Sequence, residues 1–274
     1  MKFTITFLLL LVNCMFIQSQ NYEPIELAKK LFQTDFPDVK NYSKDEFEGH
    51  PNKSDLAKNS NLNFKTLVQD EKNAVVNVTI KDSLGKGFDS YLHFEKDQTW
   101  MITAFRGLAQ MGMLQQMLQE FDKMSDKDID KILEVEKKLK SPAFQSKEDF
   151  KFLIENTKLT LNLDDNIIKH FTDNKENFLF LKDNIEQYKK ANLNVSPKEI
   201  KSHFDKELTT LYLNSFGNNY FPCADCFVLT IGGMTDNTVG YFYENDKTKI
   251  PSTDPSRVIM IREIGNGWYI FKTT

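Results

Sequence analysis

The sequence predicts an α+β protein with two modules, each a curved antiparallel β-meander packed against helices. Two regions alternate apolar and polar residues as strands do, and segments of helical periodicity lie between them. The last predicted strand of each region begins at one of the chain's two tryptophans, Trp100 and Trp268. We place the modules at residues 21–140 and 143–274. A single domain with both meanders in one sheet is the alternative.

The first meander is predicted within residues 63–106. Val76, Val78 and Ile80 alternate with polar residues, which is the period of a half-buried strand. The stretch DSLGKG supplies a turn, and SYLHFEKDQTWMITAF continues as two more strand-like runs around KDQ. The preceding segment, residues 36–61, is polar and weakly periodic, so we expect an exposed excursion there.

The second meander closes the chain. The stretch GNG near its end is a strong hairpin signal, and a proline-containing loop separates the middle two strands. The predicted strands lie around residues 226–232, 238–244, 257–264 and 267–273.

Helices are predicted between the two strand regions. Ser125 with Asp128 resembles a capping box, and Ser196 with Glu199 forms another before a helix that we expect to run to about Asn214. Apolar residues follow helical spacing in GLAQMGMLQQMLQEF and in ENFLFLKDNIEQYKKANL.

The N-terminus predicts export to the periplasm or the extracellular space. Lys2 precedes a short apolar run that ends near Ile17, which is typical of a secretory signal peptide at residues 1–19 with cleavage after Ser19. A lipoprotein signal that ends at Cys14 is the alternative, although Asn13 stands where such signals carry a small residue.

Composition argues against two classes of partner. The formal net charge of −4, with both signs interspersed, gives no basic face for nucleic acid. No later apolar stretch reaches the length of a transmembrane segment. We therefore expect a soluble exported protein.

Cys223 and Cys226 form a C-x-x-C pair in the stretch YFPCADCFVL. A thioredoxin-like site needs a helix after the first cysteine, whereas a strand-like run follows here. Haem attachment needs a histidine where Phe227 stands, and a closed zinc site needs four ligands. We predict a structural disulfide, with a redox or metal role and free thiols as the alternatives.

No catalytic constellation or cofactor motif is found. Met111, Met113 and Met117 could supply thioether ligands for Cu(I), and Met113 and Met117 share a helix face. Met111 lies on another side of the helix, however, and methionine is more often core filler. His203 and Glu207 are spaced for one helix face, within a stretch that is charged all round. We therefore assign no catalytic residue, no metal and no cofactor.

The stretch YLHFEKDQTWMITAFRGLA resembles the last two strands of the cone-shaped α+β folds of the cystatin-like and SnoaL-like group. The chain also resembles exported proteins of unknown function from Bacteroidetes-type bacteria. The resemblance implies a curved sheet wrapped around a helix, and it transfers no site residue to this chain.

Three functions remain open at this stage. We expect an exported, non-catalytic protein of the envelope that binds a small molecule or an envelope protein. A cone-fold hydrolase or isomerase is the alternative, and it predicts a concave pocket that contains His93 or a buried carboxylate with a shifted pKa. An inhibitor or immunity protein with a flat, charge-biased face is the third.

Overall fold

A computed structural model describes residues 21–109, 111–140, 142–217 and 221–274. It confirms the α+β class, because helices pack against one antiparallel sheet of four strands and one of five. Among these residues no helix is long and apolar enough to cross a bilayer. The signal peptide predicted at residues 1–19, together with Cys14, lies outside the described residues.

The first sheet is an antiparallel meander in the order β1-β2-β3-β4, as the alternation predicts. The sequence pattern does not distinguish the edge strand β1 as a separate strand, because none of its residues is fully buried. Gly85 adopts a positive φ of 80° in the turn between β2 and β3. The strands are β1 (Asn61–Gln69), β2 (Asn73–Lys81), β3 (Gly87–Lys96) and β4 (Trp100–Gly107).

Helix α1 (Pro24–Gln33) covers one face of this sheet. A capping box formed by Glu23 and Glu26 starts the helix. Leu27, Leu31 and Phe32 on its apolar side share a core with side chains of the sheet. The sheet contributes Val76, Val78, Leu92 and Trp100. The opposite face of the sheet is therefore free to meet the rest of the chain.

Most residues of the segment 36–61 are exposed, as its polarity predicts, but two buried side chains anchor the segment to the first module. Tyr42 and Phe47 are buried in the same core as α1, and Ser43 forms an isolated bridge with Ile102 of β4. Two aromatic side chains are enough to anchor a segment whose other residues are mostly polar.

The second sheet has the strand order β5-β6-β7-β9-β8. It departs from a simple meander because β7 pairs with β9 and not with β8, the next strand in sequence. The long loop after β7 carries the chain past the position of β9, so that β8 forms the edge. Asn266 and Gly267 both have positive φ in the β8–β9 hairpin, as the GNG signal predicts. The strands are β5 (Ser215–Phe216), β6 (Phe227–Met234), β7 (Asn237–Tyr243), β8 (Met260–Gly265) and β9 (Trp268–Lys272).

Seven helices are described between the sheets, and both predicted capping boxes, at Ser125 and at Ser196, are present. The helix expected from Ser196 to about Asn214 is wrong as one element, because it breaks at Phe204 into α7 and α8. The helices are α2 (Met111–Phe121), α3 (Asp126–Glu136), α4 (Lys147–Thr160), α5 (Asp164–Asp173), α6 (Lys175–Ala191), α7 (Pro197–His203) and α8 (Asp205–Thr210).

The largest core lies between the helices and the second sheet and extends to the first. Phe178 of α6 packs against Tyr241 and Trp268 of the second sheet. Val75 and Tyr91 of the first sheet belong to the same buried cluster. Buried contacts therefore cross the module boundary placed near residue 140.

Candidate functional site

A cleft of about 740 Å³ lies between the free face of the first sheet and the second module. Its floor is a row of direct neighbours across the four strands, namely Val68, Val75, His93 and Ala104. Its other wall combines the loop 250–255 with residues of β8 and β9. A cleft of this size can hold a small organic molecule.

His93 is the chemically distinctive group of the floor. It is 4% exposed, and within the described residues its Nε2 atom has no hydrogen-bond partner. Burial, followed by the nearby Arg106 guanidinium, lowers the pKa of His93 to about 4, although Asp254 and a hydrogen bond to the Ile259 backbone oppose that shift. The imidazole is therefore neutral at pH 7, and its unpartnered Nε2 is enclosed by protein.

Arg106 ties the loop wall to the first sheet. Its Nε donates a 2.7 Å hydrogen bond to the carbonyl oxygen of Pro255, and its guanidinium forms an ion pair with Glu46. Because Glu46 belongs to the segment before β1, one side chain joins three parts of the chain that surround the cleft. This arrangement holds the loop 250–255 in place over the floor.

Six acidic residues line the cleft, and no lysine or arginine is found among its described lining residues. Three of these acids have ion-pair partners outside the lining, because Arg106, Lys44 and Lys247 neutralise them. The six are Asp45, Glu46, Asp70, Glu95, Asp254 and Glu263. The rim therefore carries an excess of negative charge.

From the sequence, His93 is predicted to have a role only in the catalytic alternative. A signal was nevertheless present, because Asp89, Tyr91, His93 and Glu95 stand at every second position of β3. Alternate residues of a strand share one face, so these four polar or ionisable side chains lie on the face opposite α1. A run of this kind on a buried strand indicates a polar site.

A buried polar network lies on the same sheet face as His93 and joins the two modules. Lys272 of β9 places its Nζ 2.8 Å from Oδ1 of Asp164, and both residues are buried. The Tyr91 hydroxyl donates to the Asp164 carboxylate at 3.0 Å. Burial raises the pKa of the Asp164 carboxyl, and the Lys272 ammonium opposes that shift.

Asp89 extends the network to the start of α5. Its Oδ2 accepts a 2.6 Å hydrogen bond from the backbone N–H of Asp164, in the first turn of a helix whose N-cap, Leu163, has no capping side chain. Its Oδ1 accepts hydrogen bonds from Thr79 and Asn77 of the neighbouring strand. A carboxylate of the first sheet therefore caps a helix of the second module. We assign this network to holding the modules together, because its members are enclosed.

The structure brings Cys223 and Cys226 together as a disulfide with a Cα–Cα distance of 5.4 Å. Strand β6 follows directly at Phe227, so the pair has no helix N-terminus of the redox type. Both cysteines pack on a small core that includes Ile250, at the start of the cleft loop. The disulfide therefore lies at the entry to the second sheet, as predicted.

Replacing both cysteines with serine is expected to lower the free energy of unfolding by about 2 kcal/mol, the chain-entropy value for a four-residue loop. Urea unfolding of oxidised wild type, reduced wild type and the Cys223→Ser/Cys226→Ser variant measures the effect. The reduced wild type should match the variant. Equal stability of all three proteins would show that the turn needs no covalent link.

The other candidate residues do not form a site. The helix break at Phe204 leaves His203 and Glu207 in different helices, and His203 stacks on Tyr188 with ring centroids 4.2 Å apart. Met113 is half exposed, and the side chain of Met111 lies outside the described part of the structure. Within the described residues no three His, Cys, Asp or Glu side chains are grouped so that they could hold a metal ion.

Comparisons with protein-family models, curated proteins and solved structures found no match to this chain. The resemblance to cystatin-like and SnoaL-like domains therefore stays a prediction.

Proposed function

We propose that this chain is a ligand-binding protein whose binding site is the cleft over the first sheet. The observation that carries the proposal is the cleft itself, a concave space of about 740 Å³ that polar and apolar residues of both modules line.

The walls of the cleft support binding of a molecule with both apolar and polar parts. Leu67 and Val68 offer apolar surface on the sheet side, whereas Ser252 and Thr253 offer hydroxyl groups on the other. Arg106 fixes the loop wall, so little ordering of the protein is required when a ligand enters.

A cone-fold hydrolase or isomerase is the second candidate function, and the position of His93 in a concave site favours it. The pKa of about 4 argues against it. A general base works best with a pKa near the working pH, and His93 is too weak a base for efficient proton transfer at pH 7. We therefore favour binding without chemistry.

We also propose that the protein works in an oxidising compartment outside the cytoplasm. The disulfide between Cys223 and Cys226 supports this localisation, since such bonds persist in exported proteins. The signal peptide predicted at residues 1–19 agrees with it.

If the cleft is the binding site, small molecules should compete with one another for it. A bulky side chain at the mouth of the cleft should then block their binding. Ser252 is an exposed lining residue, so Ser252→Trp should narrow the entrance without disturbing the core. Ligand-observed NMR with a defined library of cationic, neutral and anionic fragments should detect binders to wild type. Ser252→Trp should weaken the best of them at least about tenfold, which corresponds to 1.4 kcal/mol.

Ser83→Trp is the matched control, because Ser83 is exposed in the β2–β3 turn and lies outside the cleft. It should bind the same fragments as wild type does. The proposal would be wrong if no fragment binds wild type, or if the best fragments bind both tryptophan variants equally well.

A further inference from the structure

We propose that the free edge of strand β1 is a docking site for an extended peptide segment with acidic side chains, which adds a fifth strand to the first sheet. This inference concerns a second surface and does not rest on the cleft, because residues 61–66 are outside the cleft lining. Three features support it: unpaired backbone groups along the edge, a groove beside them and the charge around them.

The hydrogen bonds of the β2–β3 hairpin decide which backbone groups of β2 face β1. In an antiparallel ladder, residue pairs that exchange backbone hydrogen bonds alternate with pairs that do not. Asp82 donates its N–H to the carbonyl oxygen of Lys86 at one end of this hairpin, and Lys96 donates to Lys72 at the other. Even-numbered residues of β2 therefore bond to β3, so that Lys81 and the other odd-numbered residues bond to β1.

The unpaired groups of β1 follow from this alternation. The partners of the odd-numbered β2 residues in β1 include Asn63 and Lys65, whose N–H and C=O groups therefore face β2. The N–H and C=O groups of Leu62, Phe64 and Thr66 point away from the sheet, and within the described residues none of them has another backbone partner. Such a row of donors and acceptors is a template for a further strand.

The opposite edge of the same sheet is covered by the chain itself. Ser43 forms an isolated bridge with Ile102 of β4, and Lys44 donates its backbone N–H to the carbonyl oxygen of Ile102. The described residues place no comparable segment along β1, where the register is regular from residue 61 to residue 66. The β1 edge is therefore the open end of the first sheet.

A groove of about 630 Å³ lies beside the start of β1. Its lining comes from the end of α1, the segment 53–60 and the first residues of β1. Leu56 and Leu62 are half-buried and give the groove apolar surface. In an added strand every second side chain lies on the same face as Leu62, so apolar side chains of the peptide can occupy the groove.

Two lysines determine the charge of the edge. Lys58 lines the groove and Lys65 lies on the other face of β1, and both are exposed. Within the described residues the groove lining contains no acid, and its other lysine, Lys53, pairs with Asp35. Opposite charges on neighbouring strands attract, so acidic side chains beside Lys65 are favoured. A second copy of this chain would bring the same lysines to the edge, and like charges disfavour that occupant.

The test uses an acetylated and amidated heptapeptide that alternates valine with glutamate, and a matched peptide that alternates valine with lysine. Titration of the full chain at low salt, followed by NMR, gives both dissociation constants. The glutamate peptide should bind at least about threefold more tightly than the lysine peptide. Lys65→Gln should weaken binding of the glutamate peptide about two- to fivefold, whereas Lys151→Gln, at an exposed lysine of α4, should leave it unchanged.

Backbone N-methylation of the peptide tests strand pairing without any change to the protein. Only alternate N–H groups of an added strand face β1, so methylation of all valines or of all glutamates should abolish binding in one set and spare it in the other. The valine set should lose binding if the added strand is antiparallel, because residues directly opposite Leu62 and Phe64 share their face.

Amide hydrogen exchange locates the added strand on the protein. The amides of Leu62, Phe64 and Thr66 should exchange rapidly in the free chain and at least about tenfold more slowly with the glutamate peptide bound. The amides of Asn63 and Lys65 face β2 and should be protected in both states.

The absence of saturable binding by the glutamate peptide, or equal losses in the two methylated sets, would overturn the docking site. Equal or tighter binding of the lysine peptide would overturn the acidic class of the partner. Light scattering of the free chain should give the mass of a monomer. A dimer that the glutamate peptide dissociates would assign the edge to a second copy and would overturn the proposed occupant.

Discussion

Lys272→Met is expected to lower the free energy of unfolding by about 3–5 kcal/mol. The substitution keeps much of the side-chain volume but leaves the Asp164 carboxylate buried without its cation, 2.8 Å from where Nζ had been. The Tyr91 hydroxyl donates to that carboxylate but carries no charge to balance it. Urea unfolding at pH 7 measures the loss.

Two further variants separate the effect of breaking the buried ion pair from the effect of removing a lysine charge. Asp164→Asn/Lys272→Met removes both charges and should recover at least about 2 kcal/mol relative to Lys272→Met alone. Lys169→Met breaks an exposed ion pair with Asp173 and should cost less than about 1 kcal/mol. If Lys272→Met costs no more than Lys169→Met, the network does not hold the modules together.

Acidification from pH 7 to pH 4.5 is expected to destabilise the protein by about 2 kcal/mol through His93 alone. The pKa of the His93 imidazole is about 4 in the folded protein and 6.5 when the ring is not buried, as in the unfolded chain. Between these values the unfolded chain binds the proton and the folded chain does not, so stability falls as the pH falls through this window. Above pH 6.5 the contribution is constant.

His93→Leu should remove this part of the pH dependence, since leucine fills similar space without a titrating group. The lowered pKa values of Asp55, Asp70 and Asp254 also cause loss of stability on acidification, and this background remains in the variant. His203→Gln, at an exposed histidine, should retain the wild-type profile. Parallel profiles of wild type and His93→Leu would contradict a buried, neutral imidazole.

The α+β class could be predicted from sequence because it depends on local signals. Alternation over Val76–Ile80, the GNG turn and the capping boxes at Ser125 and Ser196 report backbone conformation within a few residues. The same is true of the disulfide, whose partners are three residues apart. Each of these features is visible without knowledge of the tertiary structure.

The cleft and the network could not be predicted in this way, because they depend on contacts between distant segments. Arg106 meets Pro255, and Asp89 caps a helix that begins at Asp164, across 149 and 75 positions of sequence. The order of β8 and β9 and the burial of Tyr42 are likewise decided by packing. Only the polar residues at every second position of β3 indicate the site in the sequence. Their role depends on the residues that pack opposite them.

The central claim is that a ligand binds in the cleft whose floor includes His93. The most direct test follows the ring-nitrogen NMR signals of the four histidines while the tightest fragment from the library is added. We expect the Nε2 signal of His93 to shift with saturation and the signals of His50, His170 and His203 to stay in place. A fragment that binds while the His93 signals remain unchanged would contradict the claim.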